Sequence, residues 1–159
     1  MNKLFLLSTV ALALVTFNAN AGSGSADGTA QVEVVADFAV THTGTALNFG
    51  SVYAKAGNTV AVTAAASPAR SGDAFGPFTA DAFTISGPQG AGYTLTVPSS
   101  AEMTNTNSDH LTATLTPSSS GALTMGNTAT VIYVGGSVTT AANTPQGSYS
   151  GSYTVQISY

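Results

Sequence analysis

Two histidines, His42 and His110, carry most of the neutral-pH acid–base capacity of this 159-residue chain, and neither sits in a spacing that builds a catalytic site. Cysteine is absent, so thiol nucleophiles and thiolate metal ligands are excluded. Serine is plentiful, but its hydroxyl becomes a nucleophile only beside a base. Gly147-Ser148-Tyr149-Ser150-Gly151 comes nearest to a nucleophile elbow, yet its spacing is wrong and it opens a strand-like run rather than a strand-to-helix turn. Asp109 and His110 are adjacent, so on an extended chain their side chains point to opposite faces. There is no H-x-x-x-H pair and no D-x-D-x-D-G calcium loop. No glycine-rich stretch is followed by the Lys-Ser/Thr that holds phosphate. Glu33 and Asp37 share one face of a strand-like run, but a paired-carboxylate hydrolase also needs an aromatic-lined sugar cleft, and Trp is absent. The sequence therefore predicts no catalytic, metal-binding or cofactor-binding residues and no enzyme activity, with both histidines exposed on the surface.

The chemistry left to such a chain is that of its backbone edges and apolar faces. Charged residues make up 6% of the sequence, against about 25% in an average soluble domain. Three Lys/Arg face seven Asp/Glu, and Lys55 and Arg70 are the only basic residues beyond Lys3. Two cations cannot line a phosphate backbone or dock on anionic lipid, so nucleic acid and electrostatic membrane binding are excluded as partners. Neutral hydroxyls and amides cost less to desolvate than ammonium or carboxylate groups. They also repel like copies weakly, which suits repeated self-packing. A secreted protein with a compositional habit is the plainer explanation of the same numbers.

The first residues read as an export signal. Met1-Asn2-Lys3 is a short positive start, Leu4 to Phe17 is apolar apart from Ser8, Thr9 and Thr16, and Ala19-Asn20-Ala21 is a small-residue cleavage site before Gly22. Residues 1–21 are thus expected to be removed between Ala21 and Gly22, with no membrane span thereafter. Residues 22–28 have flexible-linker composition. Residues 29–159 are expected to form one domain with a real core, at an overall hydrophobic content of 43%.

That domain reads as all-β. Period-two alternation and β-branched residues between turn signals predict strands over Gln31–Val40, Leu47–Tyr53, Thr59–Thr63, Phe83–Ile85, Tyr93–Val97, Leu111–Leu115 and Tyr153–Tyr159. Ala129–Val138 reads as a central strand buried on both faces, kinked or bulged at Gly135-Gly136. Ala64–Pro77 and Ala101–His110 read as loops and Asn143–Gly147 as a turn. No stretch after the leader shows helical amphipathicity. Seven or more short antiparallel strands predict a β-sandwich, with a closed barrel as the alternative.

Two strands invite assembly. In Gln31–Val40, the side chains of Val32, Val34, Ala36, Phe38 and Val40 share one face, and the run follows a linker, so it is a candidate for donation to a neighbour's sheet edge. An ordinary first strand explains it equally well. At the other end, Tyr153, Val155, Ile157 and Tyr159 alternate to the last residue, a candidate edge for capture by an escort protein, or an ordinary last strand.

The framework Leu47-Asn48-Phe49-Gly50, Phe83-Thr84-Ile85-Ser86-Gly87-Pro88-Gln89-Gly90, Tyr93-Thr94-Leu95-Thr96-Val97-Pro98, Val134-Gly135-Gly136 and Gly147-Ser148-Tyr149-Ser150-Gly151-Ser152-Tyr153-Thr154-Val155 resembles a bacterial family of secreted domains of unknown function. That family is similar to spore-coat-U-type domains and to archaic chaperone–usher pilins. The resemblance covers nearly all of the chain beyond the leader and implies an immunoglobulin-like β-sandwich, passage through the periplasm to the cell surface, and donor-strand polymerisation. Archaic pilins commonly carry a disulfide, which this chain lacks. The expected function is a structural subunit of a surface fibre or coat, with its own copies or a pilus-type periplasmic chaperone as partners. The alternative is a monomeric, secreted surface- or carbohydrate-binding module.

Overall fold

The computed structural model describes residues 23–159, so the leader and the cleavage site at Ala21-Gly22 lie outside the described residues. The chain divides into two units, Met1–Glu33 and Val34–Tyr159. Residues 23–33, the described part of the first, have no regular secondary structure. The second carries every strand: β1 (Ala39–His42), β2 (Ser51–Val52), β3 (Asn58–Val62), β4 (Arg70–Ser71), β5 (Ala74–Phe75), β6 (Asp81–Ser86), β7 (Gly92–Thr96), β8 (Ser100–Thr104), β9 (His110–Pro117), β10 (Gly121–Thr124), β11 (Thr130–Thr140) and β12 (Gln156–Ser158). Among the described residues there is no helix, and so none long and apolar enough to cross a membrane.

The fold is all-β and sandwich-like, built on a curled antiparallel sheet. Seven strands form that sheet, in the order β1-β6-β11-β3-β4, with β9 on the other side of β11 and β8 beyond it. The opposing sheet has only three strands, β10-β7-β12. β2 and β5 make a separate two-stranded ribbon. The long strand β11 organises the whole: its first half pairs with β6, its second half with β3, and its middle with β9. Its run Thr-Val-Ile-Tyr-Val-Gly-Gly-Ser-Val-Thr-Thr is β-branched and short on charge, as a strand with neighbours on both edges requires.

Three apolar clusters fill the interior. Ile85 and Ile132 of the large sheet meet Tyr93 and Leu95 of β7. Val60, Val62, Ala113 and Val138 surround Phe49. Ala101, Leu115 and Val134 lie between these groups.

The structure departs from the sequence reading at several places, among them the expected strand Leu47–Tyr53, of which only Ser51–Val52 forms a strand, β2. Ala101–His110 is not a loop throughout, because Ser100–Thr104 is β8, paired residue for residue with β9. β10 arises in a stretch with no strand signal, and the expected loop Ala64–Pro77 contains the two-residue strands β4 and β5. Gly135-Gly136 makes no bulge, since the register with β9 runs through it unbroken. A Cβ on Gly135 would lie 2.2 Å from the Val62 carbonyl, and one on Gly136 2.2 Å from that of Thr114, so the glycines let neighbouring backbones approach. The leading and trailing strands are shorter than their alternation: only Ala39–His42 and Gln156–Ser158 enter a ladder.

Candidate functional site

The residues with acid–base chemistry are placed apart, each with a local partner. His42, the last residue of β1, sets its Nε2 2.6 Å from Oδ1 of Asp81, the first residue of β6. His110, at the start of β9, pairs with Glu102 across the β8–β9 ladder. Asp109 accepts from the Asn105 side-chain amide at 2.8 Å and closes the β8–β9 turn. Ser150 bridges Thr104 through the backbone. Among the described residues, no three His, Cys, Asp or Glu side chains gather as a metal site.

The distinctive feature is an open flank. The outer edge of β1 has no strand partner among the described residues, and neither has that of β12. Both edges border the same core: Phe38 and Val40 from one side, and Val155 and Ile157 from the other, pack on the cluster around Ile85 and Leu95. The rings of Phe38 and Tyr159 join the two sides at one end, with centroids 4.8 Å apart. The Tyr159 hydroxyl donates to Asp37 Oδ1 at 2.6 Å, and the same oxygen accepts the Phe38 N–H.

Away from that end, the flank opens into two hollows. The first, of about 320 Å³, is lined by His42, Leu47, Phe49, Phe83, Leu115 and Tyr153. The second, of about 520 Å³, shares Leu47, Phe49 and Met103, continues past Leu111 and Val138 to Tyr149, and is also lined by Asn48, Ser51, Thr140 and Gln146. Together they make a slot between residues 42–54 and residues 144–153, apolar in the first hollow and mixed in the second. The far wall is held by the ladder bridge between Ser150 and Thr104 and by Gly151, whose missing Cβ would lie 2.0 Å from the Glu102 carbonyl. After Gly151 the chain leaves β8 and crosses to β7, where residues 156–158 pair as β12.

One buried carboxylate stands in this slot. Asp81 is 4% exposed and holds three donors: His42, the Tyr153 hydroxyl at 2.7 Å, and the Ala82 N–H at 2.7 Å. Burial, together with the hydrogen bond to Asp81 and its charge, pushes the Tyr153 phenol far above its ordinary range. The Tyr159 phenol is raised by its bond to Asp37, and that bond in turn lowers the Asp37 carboxyl.

The sequence-derived assembly residues fall into two groups. Val32 and Val34 are 88% and 89% exposed, and Ala36 is exposed as well. Phe38 and Val40 are half-buried in their own domain's core. At the trailing end, Tyr153, Val155 and Ile157 face the core, while Tyr159 is exposed and covers Phe38. Sequence reasoning did not single out Asp81 or Arg70. The only available signal for Asp81 was a lone carboxylate beginning a buried strand. Arg70 gives its guanidinium to the carbonyls of Phe49, Ala74, Phe75 and Gly76 and stacks over Phe78, fixing one wall of the slot around Phe49.

A family model described as a domain of unknown function, DUF4402, matches residues 38–159. The chain belongs to this family. The match begins at Phe38, where the DUF4402 domain of this chain makes its first core contact, and runs to Tyr159, whose ring packs on that of Phe38. Neither a search of the curated proteins nor a search of the solved structures found a match.

Proposed function

We propose that this DUF4402 domain is a secreted structural subunit of a surface fibre or coat, assembling by strand addition. The observation that carries the reading is the slot between residues 42–54 and 144–153, apolar in its inner hollow, which begins at His42 where the unpaired edge of β1 ends. A strand continuing along the free edge of β1 would pair with it through its backbone and place alternate side chains in the hollows. The segment before β1 of another copy has the required character: Val32, Val34 and Ala36 alternate on one face, and all are exposed. Phe38 and Val40 serve their own core, so the donated stretch narrows to residues 31–36. The resemblance to archaic pilins read from the sequence, the charge-poor composition and the export-type leader are the further grounds for proposing assembly at the cell surface. Before assembly, an escort protein would cover the same slot.

Val34→Asp tests this reading. Burying a valine contributes about 1.5–3 kcal/mol, and an unpaired carboxylate in its place costs more. The variant is expected to abolish polymers seen by gel filtration and electron microscopy while leaving the monomer's thermal unfolding unchanged. Fibres from the variant at wild-type yield would refute strand addition.

The exposed Tyr53–Phe75 ring pair, each 55% exposed with centroids 5.4 Å apart, favours a second reading as a monomeric carbohydrate- or surface-binding module. Under it, Tyr53→Ala removes ligand binding and Val34→Asp does nothing.

A further inference from the structure

The slot's two walls are tied together by side chains, not by a ladder. Its near wall carries His42 at the end of β1, and its far wall carries Tyr153. Between them lies Asp81, with one carboxylate oxygen on His42 and the other on Tyr153. Phe83 sits under both rings, 5.1 Å from His42 and 6.1 Å from Tyr153 between centroids. Residues 151–155 have no strand partner, so between the Ser150 bridge and β12 this polar contact and the packing around Phe83 hold the far wall in place.

We propose that His42, Asp81 and Tyr153 form a strap that fixes the width of the slot at its inner, apolar hollow, making them positioning residues for the incoming strand. The inference rests on strand addition as the function. Its physical reason is the character of the proposed occupant. With Val32, Val34 and Ala36 facing inward, residues 31–36 bring no hydrogen-bond donor on that face. Without His42 and Tyr153, a buried carboxylate facing such a strand would keep only the Ala82 N–H and leave Oδ2 without a donor, at a penalty larger than one apolar contact can offset. His42 and Tyr153 satisfy Asp81 from within the domain before any strand arrives. The same two bonds set the separation of the walls. Without them the far wall is free to drift between its anchors, and the strand must first order it.

The test uses the full chain and a labelled synthetic peptide of residues 29–37 as the probe. Tyr153→Phe removes the strap's hydroxyl and keeps the ring. Losing a hydrogen bond to a charged group is expected to weaken peptide capture roughly tenfold or more. Amide exchange across residues 151–155 should speed up in parallel. Met125→Ala, a change in the buried cluster around Ile85 and Leu95 that lines neither hollow, is the control: it should lower thermal stability and leave capture unchanged. Capture by Tyr153→Phe within twofold of wild type overturns the strap. So does an equal loss of capture in Met125→Ala, since the effect would then be general destabilisation. Should Tyr153→Phe fail to fold, His42→Ala carries the same test, because its side chain is 52% exposed. If the wild-type chain neither captures the peptide nor polymerises, strand addition itself falls and the strap with it. Capture by wild type with unchanged affinity in the variants removes the strap alone.

Discussion

Arg70 shows how much one residue holds in a chain with so few charges. Its guanidinium meets four backbone carbonyls and one aromatic face, with no carboxylate partner among the hydrogen bonds it makes. Arg70→Ala leaves those carbonyls short of a donor and should cost on the order of 3 kcal/mol in urea unfolding. Lys55 is the opposite case: its bond to Asp73 is exposed on both sides, and Lys55→Ala should leave the unfolding midpoint unchanged. The tyrosines give a pH signature. Tyr153 and Tyr159 have phenols raised above their ordinary value in the folded state. Their contribution to stability is therefore complete below the unfolded phenol value, about 10, and is lost as pH rises through the raised values. Alkaline titration of the native protein should show Tyr153 and Tyr159 ionising above the ordinary phenol value. Tyr153→Phe and Tyr159→Phe should each remove one of these raised steps. Loss of neither step in the variants would contradict these bonds.

At the scale of elements, the sequence was most legible where one face is buried and the strand is long. β11 read as the central strand because its β-branched run tolerates neighbours on both edges. β6, β7 and β9 followed from strand patterns that end near Gly or Pro, and β3 from alternation after the Gly57-Asn58 turn. β8 did not, because only Ala101 and Met103 of its five residues face the core, and its polar face dominates the pattern. Its existence is decided by pairing with β9, a contact made through the Asn105–Asp109 turn. The trailing alternation was read as one strand, yet only three residues form a ladder. Alternation there reports a one-sided apolar wall: Tyr153 and Val155 face the core without pairing. Gly151 marks where this wall leaves β8. Gly151→Ala should push residues 147–152 off β8, seen as faster amide exchange there, while β11 stays protected. Protection in residues 147–152 equal to wild type would show that the close approach is not required.

At the scale of the whole molecule, the sequence pointed to edges by elimination and the fold supplies the place. Which edges stay open was not legible, because edge pairing depends on long-range topology rather than on local pattern. Nor was the division of Gln31–Val40, whose alternation continues across the point where Phe38 enters the core and Val34 does not. The candidate slot joins features that lie far apart in the chain: Leu47 and Phe49, Met103, and residues 144–153. Its apolar inner hollow, at the end of the unpaired edge of β1, is the physical basis for reading the molecule as one part of a larger assembly.

Because the chain has no cysteine, a cross-link can test that directly. Two single variants, Val34→Cys and Met103→Cys, are purified with different tags, mixed and oxidised. The expected product is a mixed disulfide between the two chains, formed in preference to either like pair and lost when excess peptide 29–37 is added. Like pairs alone, or mixed disulfides that the peptide does not suppress, would mean that the leading segment of one copy does not enter the slot of another.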